Sequence, residues 1–191
     1  MSASGRIVAV ALVSQGVMGV VAVAVARLFG LSFAWGSPAR DVAIGLAGAA
    51  GVAAANYALL GRRQVAGPLQ PVRDVVDEIL MPLFSRLRGW QMVVIAACAG
   101  VGEELLFRGV LQPLVGLVAA SLLFGMAHIG GRTMLAFGAW ASALGLLMGT
   151  LAIATGGLTA PMVAHGVYDF LALAYLRHTA IVRDEERPLR V

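Results

Sequence analysis

Several ionisable side chains stand in stretches of this sequence that are otherwise apolar. They are Glu103, Glu104, Arg108, His128, His165 and Asp169. A charged residue near the centre of a membrane helix costs about 2.5 to 3.5 kcal/mol on insertion scales, so such residues are retained where something compensates or uses them. Carboxylates and histidines that converge in a water-poor site can activate a water molecule and stabilise a developing oxyanion. The residue types therefore favour hydrolysis.

Helical spacing suggests the first roles within this group. Glu104 and Arg108 are four residues apart and share one helical face, so an internal ion pair is available to them. Glu103 is rotated by about 100° from Glu104 and need not share that partner. One glutamate can therefore be held by arginine while the other stays free.

The depth of the remaining groups indicates that they can meet. At about 1.5 Å per residue, Glu103, His128, His165 and Asp169 fall near mid-membrane on three different helices. The sequence contains no Gly-x-Ser-x-Gly motif, and Cys98 is not beside a histidine. Activation of water is thus favoured over a serine or cysteine nucleophile.

The elements that position these residues are membrane helices. The chain has 191 residues, of which 60% are hydrophobic and 13% charged, and its mean hydropathy is +0.88. Such a chain cannot cover its apolar surface in water, so we predict an integral membrane protein. The pattern predicts an all-α, polytopic bundle of about six transmembrane helices. The predicted segments are 7–27, 41–60, 90–112, 115–131, 133–154 and 158–176.

An amphipathic helix is predicted over 71–88, between the second and third segments. Its apolar residues recur at helical spacing with charged residues between them. It either lies in the membrane surface or packs on another part of the protein, and the spacing leaves both open. We divide the chain into an N-terminal two-helix region with this connector over 1–89, a catalytic helical core over 90–178 and a charged tail over 179–191.

The first segment resembles a signal peptide, because Arg6 precedes its apolar core. The core is long, is interrupted by Gln15 and is followed by Arg27, which favours a retained anchor. Glycines flank the candidate site further along the chain. Gly100, Gly102 and Gly109 are interpreted as room for a substrate, and the glycine pair 130–131 as the end or a bend of the fourth helix.

Arginine placement predicts the orientation. One side of a six-span bundle carries Arg6, Arg62, Arg63, Arg73, Arg86, Arg88, Arg132, Arg177, Arg183, Arg187 and Arg190, and the other only Arg27 and Arg40. Both termini are therefore expected in the cytoplasm. The lysine-free, Gly/Ala-rich composition indicates a bacterial inner membrane. Since the basic residues serve topology, we expect the lipid bilayer and not nucleic acid as a partner.

Three motifs carry a family resemblance. "EELLFR" (103–108), "FGMAH" (124–128) and "HGVYD" (165–169) are similar to E-E-x-x-x-R, F-x-x-x-H and H-x-x-x-N/D of the CPBP family. This family comprises the CAAX proteases and the bacteriocin-processing enzymes, and is also called the Abi family. The resemblance covers roughly 90–176, with the three motifs in order on separate predicted spans.

The resemblance implies a glutamic-type intramembrane endopeptidase that cleaves a membrane-associated protein or peptide, without a cofactor. The first glutamate and the F-x-x-x-H histidine activate water in that family, and these positions correspond to Glu103 and His128. The last motif stabilises the oxyanion, which corresponds to His165 and position 169. Supporting roles fall to Glu104, Arg108 and Phe124.

Position 169 departs from the best-studied eukaryotic and archaeal CAAX enzymes, which carry asparagine there. An ionised aspartate would repel an oxyanion, so Asp169 is either protonated or orients His165. We favour the second role, because a carboxylate beside a histidine commonly fixes its tautomer.

Two other interpretations stay open. Glu103, His128 and His165 are also a plausible ligand set for a zinc-dependent hydrolase, although no H-E-x-x-H is present and Arg108 adds positive charge nearby. A non-catalytic membrane immunity or scaffold protein could use the same buried groups. The accessible face is equally open: arginine placement puts the 112–116 and 156–159 turns outside, whereas the resemblance implies access from the cytosol.

Overall fold

The computed structural model describes residues 2–61 and 67–185, and within them every long element is a helix. The helices are α1 (Ala3–Leu28), α2 (Pro38–Leu60), α3 (70–84), α4 (89–115), α5 (Leu117–Ala127), α6 (Leu135–Thr155) and α7 (Thr159–Glu185). Three stretches are long and apolar enough to cross a membrane: Ala3–Leu28, Pro38–Leu60 and Arg132–Thr155. The all-α membrane bundle predicted from the sequence is confirmed.

The fourth predicted segment, 115–131, is shorter than expected. Its helix, α5, has 11 residues and rises only about 16 Å, roughly half of a hydrocarbon core of about 30 Å. It begins after Gly116, whose φ of +83° favours glycine, and it ends at Ala127 with His128 as the following residue. The glycine pair 130–131 follows, as expected for a helix that stops there. α5 is thus a half-length helix that packs on α6.

Both α3 and α4 contain a wide π-helical turn that ends two residues before a proline. The turns are Val76–Leu80, ahead of Pro82, and Phe107–Leu111, ahead of Pro113. Proline lacks a backbone donor, and its ring crowds the carbonyl group four residues earlier, so a wider turn relieves the clash. In α4 this turn begins three residues after Glu104 and carries Arg108.

Glycines let α4 approach its two neighbours, α1 and α7. A Cβ at Gly100 would lie 2.8 Å from the backbone nitrogen of Gly166 on α7, and one at Gly102 would lie 2.7 Å from Oε1 of Gln15 on α1. A Cβ at Gly109 would lie 2.7 Å from Cε1 of Phe33. The interpretation of these glycines as room for a substrate was wrong, because α7, α1 and the connection between α1 and α2 occupy the space beside them.

The connector helix α3 packs on the protein, which is one of the two alternatives left open by its sequence. Val72, Val75 and Met81 are buried where α3 meets the start of α6 and the C-terminal half of α7. Arg73 is also buried, and its Nε donates to Asp77 Oδ2 at 2.9 Å. Four of the arginines used to predict orientation lie outside the described residues: Arg62, Arg63, Arg187 and Arg190.

Candidate active site

The three motifs come together where α4, the end of α5 and α7 meet. Glu103, Glu104, Arg108 and His165 are buried there. The side chains of His128 and Asp169 each keep 30% exposure. The expectation that these groups converge inside the bundle agrees with this placement.

Glu104 and Arg108 form the ion pair that their spacing indicated. Arg108 Nη1 donates to Glu104 Oε1 at 2.8 Å, and both side chains are at most 2% exposed. Arg108 Nη2 donates to the carbonyl oxygen of Gly145 on α6 at 3.0 Å. The guanidinium carbon of Arg108 lies 4.5 Å from the centroid of the Phe124 ring, which forms a cation–π contact with it. The arginine therefore ties three helices together around one buried charge.

His165 is oriented by Glu104. Its Nδ1 lies 2.6 Å from Glu104 Oε1, the same oxygen that accepts from Arg108. Asp169, which the sequence favoured for this role, lies 3.6 Å from the other ring nitrogen, Nε2. These distances favour Glu104 over Asp169 as the residue that orients His165. The spacing of 165 and 169 along α7 could not reveal that a carboxylate from α4 lies closer to the ring.

His128 is oriented by its own helix. Its Nδ1 lies 2.8 Å from the carbonyl oxygen of Phe124. A carbonyl oxygen only accepts, so Nδ1 carries the proton, and Nε2 is an acceptor in the neutral ring. The rings of His128 and Phe124 also pack against each other, with their centroids 4.7 Å apart. The spacing of F-x-x-x-H therefore has a local cause: the histidine that ends α5 bonds back to a carbonyl one turn earlier.

The two oxygens of Glu103 have different surroundings. Oε1 accepts from Nε2 of Gln15 on α1 at 2.7 Å. Oε2 is buried without a hydrogen-bond partner among the described residues. It lies 4.0 Å from His128 Nε2 and 3.9 Å from His165 Nε2. These gaps are too long for direct hydrogen bonds, but one water oxygen at about 2.8 Å from two of these atoms would bridge them.

Gln15 is a site residue that reasoning from the sequence missed. The sequence marked it only as an interruption of an apolar core. An amide inside an otherwise apolar membrane helix was the available signal, since such a group needs a partner in lipid. Its partner could not be identified, because the spacing of residues within α1 says nothing about which face of α4 it meets.

A cavity of about 560 Å³ leads to the histidines. His128, His165 and Asp169 line it, while most of its wall is apolar and comes from α2, α3, α6 and α7; examples are Leu60, Leu80, Phe84, Trp140 and Leu144. The end of α2, helix α3 and the start of α6 all contribute lining residues. The cavity therefore extends from the site towards the side of the bundle where α3 lies.

The carboxylate and the two histidines are spaced more widely than a zinc site requires. Zinc ligands at about 2.0 to 2.1 Å in a tetrahedral site lie about 3.4 Å apart. Glu103 Oε2 is 4.0 and 3.9 Å from the two Nε2 atoms. In the part of the chain that the structure describes, no group of three or more His, Cys, Asp or Glu is arranged to hold a metal ion. These residues would have to move together by about half an ångström to hold zinc.

Fold and site together define an all-α membrane protein with a buried glutamate–histidine cluster beside an apolar cavity. Residues 85–171 match the family model described as "Type II CAAX prenyl endopeptidase Rce1-like", so this part of the chain is similar to that family. The matched residues include all three motifs, whereas α1, α2 and α3 lie outside them.

One curated relative is the "Uncharacterized protein YpbD" of Bacillus subtilis (strain 168). It is 31% identical over 103 residues, which cover 54% of this chain and 54% of that protein. The chain thus spans about half the length of the curated relative it matches. No solved structure gives a significant match.

Proposed function

We propose that this protein is a glutamic-type intramembrane endopeptidase that hydrolyses a peptide bond in a membrane-associated protein or peptide. One observation carries the proposal: Glu103 Oε2, with no hydrogen-bond partner among the described residues, faces Nε2 of His128 and of His165 at 4.0 and 3.9 Å. A carboxylate with a water-sized gap to two imidazoles is suited to activating water. The similarity of residues 85–171 to an endopeptidase family supports the same reaction class.

In the proposed reaction, Glu103 acts as the general base. A water molecule donates one proton to Glu103 Oε2 and is oriented through its other hydrogen by the acceptor Nε2 of His128. The water oxygen attacks the scissile carbonyl carbon as the proton passes to Glu103. The same carboxyl group then returns this proton to the departing amine, so the reaction consumes one water and leaves the enzyme unchanged.

His165 is proposed to stabilise the oxyanion. Its Nδ1 is held by Glu104 at 2.6 Å, which fixes the ring and leaves Nε2 directed towards Glu103. When Nε2 also carries a proton, it can donate to the carbonyl oxygen as negative charge develops there. Asp169, at 3.6 Å from Nε2, would then stabilise the charged ring without approaching the oxyanion itself.

The cavity indicates an apolar substrate segment. Its walls are mostly apolar, although Asn56, Arg73 and Tyr168 line it as well as the histidines and Asp169. The favoured substrate therefore carries bulky apolar groups next to the scissile bond. The cavity extends towards the α3 side. The arginines predict that both termini lie in the cytoplasm of a bacterial cell, which places the α3 side on the cytoplasmic face of the inner membrane. The substrate would then enter the site from the cytoplasmic side.

The test is cleavage of a library of membrane-anchored peptides by purified full-length protein in detergent, followed by mass spectrometry. The matched variant is Glu103→Gln, which keeps the shape of the side chain and removes the base. We expect cleavage by the wild type only, unaffected by a chelator. Cleavage that stops with the chelator would support the zinc hydrolase with Glu103, His128 and His165 as ligands. No cleavage by folded wild type across a library rich in apolar sequences would contradict the endopeptidase and favour a binding role.

A further inference from the structure

We infer that Gln15 is a positioning residue that holds the carboxylate of Glu103 for catalysis, an inference that rests on the proposed function. Gln15 lies on α1, outside the segment 85–171 that matches the family model. Its Nε2 donates to Glu103 Oε1 at 2.7 Å. The other oxygen of that carboxylate has no such partner among the described residues and is left facing the histidines. One glutamine thus decides which oxygen is free.

The bond matters because a glutamate carboxyl group otherwise turns easily. Rotation about its last torsion is broad, so an unheld carboxyl group would not keep one oxygen directed at the 4.0 and 3.9 Å gaps to the imidazoles. An amide N–H also pairs well with the ionised form, which is the form a general base needs. Gln15 therefore fixes the direction of the carboxyl group, through a hydrogen bond that the ionised form accepts.

The opposite end of the amide argues against a purely structural role. Gln15 Oε1 is buried and has no hydrogen-bond partner among the described residues. Burying an unpaired acceptor is unfavourable, and an apolar side chain of the same shape would avoid that cost. A residue selected for packing alone would gain stability as methionine.

The backbone around Glu103 is built to admit Gln15. A Cβ at Gly102 would lie 2.7 Å from Gln15 Oε1 and 2.8 Å from the Gln15 backbone oxygen. Since that second atom cannot rotate away, any larger residue at 102 would push α1 off α4. The glycine beside the candidate base therefore sets the approach that the 2.7 Å bond requires.

The first measurement does not depend on a substrate. Dicyclohexylcarbodiimide reacts with protonated carboxyl groups in apolar surroundings, and mass spectrometry reports labelling at Glu103 separately from other sites. We expect Gln15→Met, which matches the side chain in size, to raise the labelling rate of Glu103 about tenfold or more, because the bond to the ionised form is lost. Thermal stability should change little, because the substitution removes the unpaired Oε1 of Gln15 but leaves Glu103 Oε1 without its donor. Higher stability without faster labelling would indicate a packing role.

The control is Ser14→Ala on the same helix. Ser14 donates only to the carbonyl oxygen of Ala11 at 3.0 Å, so labelling should stay at the wild-type rate. Should Gln15→Met fail to fold, Gly102→Ala tests the same bond by displacing α1, and faster labelling of Glu103 is again expected. Labelling of Glu103 within about twofold of wild type in a folded variant would overturn the inference, since a charge-assisted bond is worth more than that.

The second measurement uses a peptide that the wild type cleaves. Gln15→Met should lower kcat by about 10- to 100-fold and leave KM unchanged, because Gln15 touches the base and not the substrate. A rise in KM of about 10- to 100-fold with kcat unchanged would overturn the positioning role. If the wild type cleaves no peptide, the proposed function fails, and the labelling rates still decide whether Gln15 controls Glu103.

Discussion

Removal of Arg108 should destabilise the protein far more than removal of an ordinary interhelical hydrogen bond. Arg108→Met deletes the 2.8 Å pair with Glu104 and the 3.0 Å bond to the Gly145 carbonyl oxygen. Among the described residues, Glu104 would then be a buried carboxylate with one remaining polar contact, to His165 Nδ1. Breaking a buried ion pair from one side costs about 3 to 5 kcal/mol. Because His165 still compensates part of the charge, we expect about 3 kcal/mol.

The matched control lies one turn further along the same two helices. Gln112 Nε2 donates to the Gly149 carbonyl oxygen at 3.1 Å, as Arg108 does to Gly145. Hydrogen bonds between membrane helices average about 0.6 kcal/mol in double-mutant cycles and reach about 1.7. Gln112→Met should therefore cost well under half as much as Arg108→Met.

The assay is reversible unfolding of the full chain in mixed micelles, followed by circular dichroism. Adding Glu104→Gln to Arg108→Met should recover about 2 kcal/mol, because no uncompensated charge is left in the interior. Equal unfolding free energies for Arg108→Met and Gln112→Met would refute this reasoning. They would mean that the ion pair contributes no more than a neutral hydrogen bond.

Two further predictions concern packing and the histidine. Gly100→Val should cost about 1 to 3 kcal/mol in the same unfolding assay, because a Cβ at this position would lie 2.8 Å from the backbone of α7. Gly51→Ala should be nearly neutral, because no described atom lies within 4 Å of a Cβ there. Similar costs for both substitutions would contradict the close approach of α4 and α7. Glu104→Gln should lower kcat on a cleaved peptide more than Asp169→Asn, because His165 is held at 2.6 Å by the first and lies 3.6 Å from the second. A larger loss for Asp169→Asn would restore the orienting role that the sequence suggested.

Contacts within one helix were the part of the site that the sequence could predict. The helical period places residues four apart on one face, so Glu104 with Arg108 followed from spacing alone. Contacts between helices were not predictable in this way. Glu104 with His165 and Gln15 with Glu103 depend on how each helix is rotated and tilted against its neighbour, which packing decides.

Helix lengths show the same division. Hydropathy located the helices because the apolar runs are long. A hydropathy value averaged over a window of residues does not detect a single residue that ends a helix. In 115–131 the positive φ of Gly116 and the side-chain bond of His128 bound a helix of 11 residues inside a longer apolar run. For α3, the amphipathic pattern revealed the helix but not its neighbour, since lipid and protein both cover an apolar face.

The central claim is that Glu103 activates the water that cleaves the peptide. The most direct test is the ratio of kcat for wild type and Glu103→Gln on one cleaved peptide in the presence of a chelator, with folding of both proteins confirmed by circular dichroism. General base catalysis contributes about 10²- to 10⁴-fold, so we expect a loss of at least about 100-fold with KM little changed. A kcat for Glu103→Gln within about tenfold of wild type would contradict the mechanism, because an amide cannot accept the proton of water.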